Sequence, residues 1–331
     1  MKQYDILDLT KFILSFFIVA IHSELCPNAL YPWLRIAVPM FFVISSFLLF
    51  SRLRLLNGIE QKKIIKKWVL RNIYLYSVWF VILLPVTVIV RRSWFDNGIL
   101  WGTIIFIRNV FLGSTFQASW FITANVMAVI IAHMMTRKTG KNIPVLLVSC
   151  VFYLLCCLSS SYPVVTQFLG VDKVLDLLNV RSNFCVALLW TVIGKMFAED
   201  KIKISRNVCK LGLLLSLVVL LVERRLTVRY AGALLSSDFM VTLVPVTLCL
   251  FAWLIKAEGV KLPCATLMRK SSTLIYVMHC SMITVLMYVL PTSWIAPLPI
   301  FVMTVCGTLI ISLVIIRLSN CKKFGFLKML W

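Results

Sequence analysis

The chain has 331 residues, 61% hydrophobic and 14% charged, and its 34 Lys and Arg against 12 Asp and Glu give a formal charge of +22. Its mean hydropathy of +0.97 lies well beyond the roughly half-apolar composition of soluble domains, which excludes a water-soluble domain built on one core. The basic residues recur between apolar stretches instead of gathering on one segment, which excludes nucleic acid as the partner and points to the lipid bilayer.

Repeated runs of about 17 to 20 apolar residues predict an all-α polytopic membrane bundle of about ten transmembrane helices. They fall near 6–25, 33–51, 73–90, 120–136, 143–160, 183–198, 211–222, 239–255, 273–290 and 297–316, the seventh being short. If the first helix starts inside, the inside loops are 52–72, 137–142, 199–210, 256–272 and 317–331, and these hold most of the lysine and arginine. The first of them carries Arg52, Arg54, Lys62, Lys63, Lys66, Lys67 and Arg71 against a single acid, Glu60. The positive-inside rule then sets both termini in the cytoplasm, as expected of a multi-pass protein of a bacterial inner or plasma membrane.

The N-terminus has little basic character and no small-residue cleavage site follows, so the first apolar stretch is expected to be an uncleaved helix. The chain reads as one integral-membrane domain, 1–331, with no appended soluble domain. The outside stretch 91–119 contains the apolar segment 99–108, too short to span, which is expected to lie at the interface or dip in. The 11 cysteines fall largely within helices and lack paired ligand spacing, so small apolar packing is their expected role, with no metal site.

Ionisable groups inside a membrane are costly and mark the places to look for chemistry. In the first helix Asp8, Lys11, Ser15 and His22 share one face, and the eleven-residue separation of Lys11 and His22 corresponds to roughly 16 Å along the axis. That stripe puts a lysine in the inner half and a histidine near the outer end. Spacing alone equally allows Lys11 to snorkel beside Asp8 and His22 to sit among outer headgroups. The second helix opens with Arg35 and carries Pro39 and the pair Ser45-Ser46, a composition that bends or loosens a membrane helix. In the ninth, Ser272, Tyr276 and His279 share a face. His133, near the inner end of the fourth, lacks such a stripe and reads as interfacial.

At these residues the sequence resembles the acyltransferase-3 family of membrane O-acyltransferases, which move acyl groups, commonly acetyl, onto surface polysaccharides and related glycans. The most specific element is a basic residue, ten intervening residues and a histidine, met by Lys11 and His22. Pro39-Met-Phe-Phe-Val-Ile-Ser45-Ser46-Phe47 is similar to the family's Pro-x-Phe-Phe-x-x-Ser-Gly-Phe. Arg71-Asn-Ile-Tyr-Leu-Tyr76-Ser-Val-Trp79 resembles its basic entry to the third helix, Ser119-Trp120-Phe121-Ile122 its start to the fourth, and Ser271-Ser-Thr-Leu-Ile-Tyr276-Val-Met-His279 its late Ser-x-x-x-Tyr-Leu-x-His. Three positions depart: Ser46 replaces a usual glycine, Leu75 a common proline, and Lys11 a more frequent arginine, exchanging a planar fork for a point charge.

The resemblance implies a cytoplasmic acyl-CoA donor, acetyl-CoA by expectation, and an acceptor hydroxyl on a surface glycan or lipid-linked glycan, with no bound cofactor. Lys11 would meet the donor together with the basic 62–71 segment. His22 would take the acceptor's proton or carry the acyl group itself. Arg35, Arg71, Trp120, Tyr276 and His279 would line donor or acceptor sites. The alternative reading is a proton-coupled transporter or exporter of a small solute or lipid-linked sugar, which intramembrane His, Lys and Asp also suit.

Overall fold

A computed structural model describes residues 4–25, 30–232, 238–257 and 259–331. Among the described residues the fold is all-helical, with no strand. The principal helices are α1 (Asp5–His22), α2 (Ala37–Leu53, preceded by the turn Tyr31–Leu34), α3 (Gly58–Ile82), α4 (Leu84–Arg91), α5 (Ile99–Leu112) and α6 (Trp120–Thr139). They continue with α7 (Ile143–Ser161), α8 (Phe184–Ala198), α9 (Arg206–Tyr230), α10 (Leu243–Leu254), α11 (Ala265–Val289) and α12 (Pro297–Leu318).

Five helical segments are long and apolar enough to cross a membrane, and up to seven are if each of two bent pairs counts as one span. Many of their large apolar side chains face outward, such as Val88, Leu147, Val151 and Ile310, an arrangement that suits lipid tails and not water. Of the ten predicted segments, α1, α9 and α10 fall outside that set. Asp5, Asp8 and Lys11 interrupt α1, Glu223, Arg224 and Arg225 interrupt α9, and α10 has only 12 residues.

Several boundaries differ from those predicted, for local reasons. The basic stretch 52–72 is largely helix, because Asn57 opens α3 with a capping box: its Oδ1 accepts from Glu60 N–H at 2.9 Å and Glu60 Oε2 accepts from Asn57 N–H at 3.4 Å. Lysines and arginines are good helix formers, so hydropathy hid this start. The bend that a proline at 75 would have produced lies later: α3 and α4 meet at 73°, just before Pro85, whose ring and missing N–H break the ladder. The predicted short seventh helix, 211–222, is the 25-residue α9, opened by Ser205, whose Oγ accepts from Val208 N–H at 3.3 Å. Likewise α11 begins at Ala265, inside the predicted loop 256–272. The segment 99–108 does form a helix, α5, of only 14 residues.

The carboxylate of Glu223, within α9, is satisfied by partners. Glu223 accepts from Val241 N–H at 2.8 Å, Thr242 N–H at 2.9 Å and Tyr162 O–H at 2.7 Å, so its carboxylate seats the start of α10. Burial, and then this bond, hold the Tyr162 phenol well above its usual pKa.

At the centre lies α8, nearly all of it buried, against α2, α6 and α7. Gly194 lets α2 approach: a Cβ there would stand 2.5 Å from the Val43 carbonyl oxygen, 3.0 Å from Phe47 N and closer still to Ser46 Oγ. The hydroxyl of Ser46 bonds back to the carbonyls of Phe42, at 2.9 Å, and Val43, at 3.1 Å. A serine therefore replaces the family's usual glycine without breaking α2, because a glycine faces it. On the other side of the bundle α1 packs along α11, and α11 on α12.

Candidate active site

Two cavities open at opposite ends of α1. The first, about 440 Å³, lies beside its N-terminal half, between α1, α2, α3, α6 and α11. Five charged side chains reach its wall, Lys11, Arg52, Lys67, Arg71 and Arg269, and all are basic; no carboxylate is among the lining residues. Lys11 is tethered 3.3 Å from Asp8, whose other oxygen takes Arg269 at 3.3 Å. Arg71 donates to the Trp331 carbonyl at 2.8 Å, which steadies this rim. Between the charges, Asn125 Nδ2 donates to Ser45 Oγ at 3.1 Å, and Phe41, Phe121 and Tyr276 close the deep end.

The second cavity, about 620 Å³, lies at the C-terminal end of α1 and has a mixed lining: His22, Tyr31, Arg35, Arg181, Glu24, Asp176 and Asp238 all reach it. Arg35 is ion-paired with Asp238, and its guanidinium lies 4.5 Å over the Tyr31 ring. Ser160 Oγ accepts from the backbone N–H groups of Asp238, at 2.7 Å, and Phe239, at 3.1 Å, which fastens the Asp238 segment to α7.

The cavities are linked through side chains on facing helices. Tyr276, on the wall of the first, has its ring 5.6 Å from that of His279, and His279 lies 5.1 Å from His22, on the wall of the second. His279 is fully buried, whereas His22 opens to the cavity. His279 Nδ1 sits 2.6 Å from the Tyr276 carbonyl, so it carries the hydrogen and donates, leaving Nε2 as an acceptor for the Cys280 thiol at 3.1 Å. Tyr276 O–H donates to the Ala118 carbonyl at 3.2 Å, fixing the ring between the two ends.

The structure thus puts Lys11, Arg71 and Tyr276 on one cavity, His22 and Arg35 on the other, and His279 between them. Trp120 lines neither; it stands behind Phe42, 6.1 Å between ring centroids, and beside Phe121. His133 lines a separate, smaller cavity with Lys195 and Glu199. Arg269 escaped the sequence reading although it sits three residues before Ser272, on the same helical face. Nothing local in sequence links Asp238 to Arg35, and a helical cysteine without paired ligand spacing, such as Cys280, carries no signal beyond apolar packing.

The family model described as an acyltransferase domain matches residues 4–317. Among curated proteins, an amino-acid racemase of Enterococcus faecalis is 24% identical over 279 residues, 78% of this chain and 37% of the racemase. A second amino-acid racemase of the same organism is 27% identical over 127 residues, 36% of this chain and 16% of that protein. The chain therefore matches little more than a third of the length of the first of these relatives and about a sixth of the second. No solved structure matches it.

Proposed function

We propose that this chain, which belongs to the acyltransferase-3 family, transfers an acyl group from acyl-CoA on the cytoplasmic side of a cell membrane to a hydroxyl of a surface glycan or its lipid-linked precursor. Acetyl-CoA is the donor proposed. The observation that carries this reading is the pair of unlike cavities at the two ends of α1, joined by Tyr276, His279 and His22.

Donor binding follows from charge. Coenzyme A presents several phosphate charges at one end and a slender, neutral arm at the other. The all-basic wall of the first cavity suits the phosphates, and the roughly 16 Å from Lys11 to His22 suits an extended arm carrying the thioester. Acceptor binding follows from the mixed lining of the second cavity, where carboxylates, guanidiniums and hydroxyls face a polyhydroxylated ligand. In the transfer, the acceptor oxygen bonds to the acyl carbon while the imidazole of His22 takes the hydroxyl proton. The carbon–sulfur bond then breaks, and the leaving CoA thiolate receives that proton. An acyl group carried first on His22 and then passed to the hydroxyl has the same overall balance.

Ten crossings with both termini inside belong to this proposal. Partnered carboxylates support crossing by α1 and α9: Asp5 accepts from Leu262 N–H at 2.9 Å, Asp8 holds Lys11 and Arg269, and Glu223 meets four donors.

Mass spectrometry of surface glycans from cells with and without the gene is the test. A mass difference of one acyl group that disappears with the gene is expected. Movement of a small solute without acyl-CoA consumption, with no glycan change, would replace the enzyme by a carrier.

A further inference from the structure

His22, His279 and Cys280 bring three metal-ligating atoms to within 4.8 Å of one another. Two come from adjacent positions of α11 and the third from α1, helices that pack along each other, so the backbone alone holds the set together. The Tyr276 carbonyl takes the Nδ1 hydrogen of His279 and turns its Nε2 lone pair toward the Cys280 sulfur, 3.1 Å away. A backbone carbonyl fixing tautomer and ring orientation is the support that metal-binding histidines generally receive.

Two imidazoles and a thiolate are the donor set of a thiophilic divalent ion, and zinc takes them at about 2.0–2.1 Å for nitrogen and 2.3 Å for sulfur. Those bond lengths place ligand atoms of a tetrahedron roughly 3.3–3.6 Å apart, so side-chain rotations of about an ångström close the set. Access comes from one side. His279 and Cys280 are buried, while His22 opens onto the second cavity, whose space leaves the fourth coordination position to water.

We propose that His22, His279 and Cys280 form a binding site for a zinc-class divalent ion entering through the second cavity, and that its binding takes the His22 imidazole out of acyl transfer. On loading, the thiol proton leaves to water as the metal–sulfur bond forms, and nothing is oxidised or reduced. The inhibitory part rests on the role proposed above for His22; the binding part does not.

The test uses the full chain in lipid nanodiscs, equilibrated with chelator-buffered Zn²⁺ and, in parallel, with Co²⁺. About one zinc per chain is expected by elemental analysis, together with a sulfur-to-cobalt charge-transfer band. Cys280→Ser should lose the band and lower bound zinc at least tenfold, while Cys306→Ser, on the exposed face of α12, should keep both. His279→Ala gives a second reading of the same loss. In the transfer assay, zinc should lower the wild-type rate at least tenfold, reversed by chelator, whereas Cys280→Ser should stay within twofold of its own zinc-free rate. Equal zinc in wild type and Cys280→Ser, or a cobalt spectrum without thiolate, overturns the site. Zinc inhibition that persists in Cys280→Ser also overturns it and leaves acyl transfer standing. Zinc bound through Cys280 in a chain with no acyl transfer overturns the functional reading and leaves the site.

Discussion

Replacing Gly194 by alanine tests how closely α2 and α8 fit. The added Cβ would meet the Ser46 hydroxyl, the Val43 carbonyl oxygen at 2.5 Å and Phe47 N at 3.0 Å. The hydroxyl can rotate away, but the other two atoms belong to the backbone of α2, so the helices must part. Overpacking typically costs 1–3 kcal/mol, and with backbone partners the value should be near the upper end, about 2–3 kcal/mol. Exchanging glycine for alanine returns about 1 kcal/mol of helix propensity, leaving a net loss of about 1–2 kcal/mol. Thermal unfolding in detergent, followed by loss of the monodisperse chromatographic peak, should show a midpoint roughly 1–3 °C lower. Adding Ser46→Gly should recover only part of the loss, since the backbone contacts remain. Wild-type stability of Gly194→Ala, or full recovery in the double variant, would show that the two backbones are not in contact at Gly194.

Lys11→Arg should keep more acyl transfer than Lys11→Ala, with the larger change in KM for acyl-CoA, because position 11 supplies charge to an all-basic wall; equal loss in both would mean that lysine geometry, not charge, is required. Glu223→Gln should lower stability by about 1.5–3 kcal/mol, measured by thermal unfolding, since a carboxylate accepting four bonds becomes a group with one acceptor oxygen; an unchanged midpoint would remove Glu223 from the seating of α10. Reporter fusions should place both termini in the cytoplasm. A C-terminus outside would break the ten-crossing scheme, first of all at α9 or α5.

What sequence shows here depends on how local the cause is. The stripe Asp8, Lys11, Ser15, His22 was legible because one helix dictates it, and so was the face Ser272, Tyr276, His279. The meeting of His22 with His279 was not, since it depends on how α1 lies along α11. The helix start at Gly58 was hidden because hydropathy measures fitness for lipid, while that first turn stands on the Asn57–Glu60 capping box and is followed by lysines. The start at Ala265 was hidden because Arg269 and Lys270 lower the hydropathy of the turns that follow it. Ser46 and Gly194 lie far apart in sequence, and their complementarity appears only in the packed bundle. Asp238 reaches Arg35 from a distant connection, which no periodicity announces.

Transfer from one end of α1 to the other is tested most directly in sealed proteoliposomes, with labelled acyl-CoA on the face carrying Lys11 and glycan acceptor on the opposite face. Wild-type protein should acylate the acceptor across the membrane. His22→Ala, inserted at the same level, should fall by about 10²–10⁴-fold, the range ascribed to a positioned acid–base group. Near-normal transfer by His22→Ala would contradict the assignment and move it to His279, and transfer that requires donor and acceptor on the same face would contradict the path along α1.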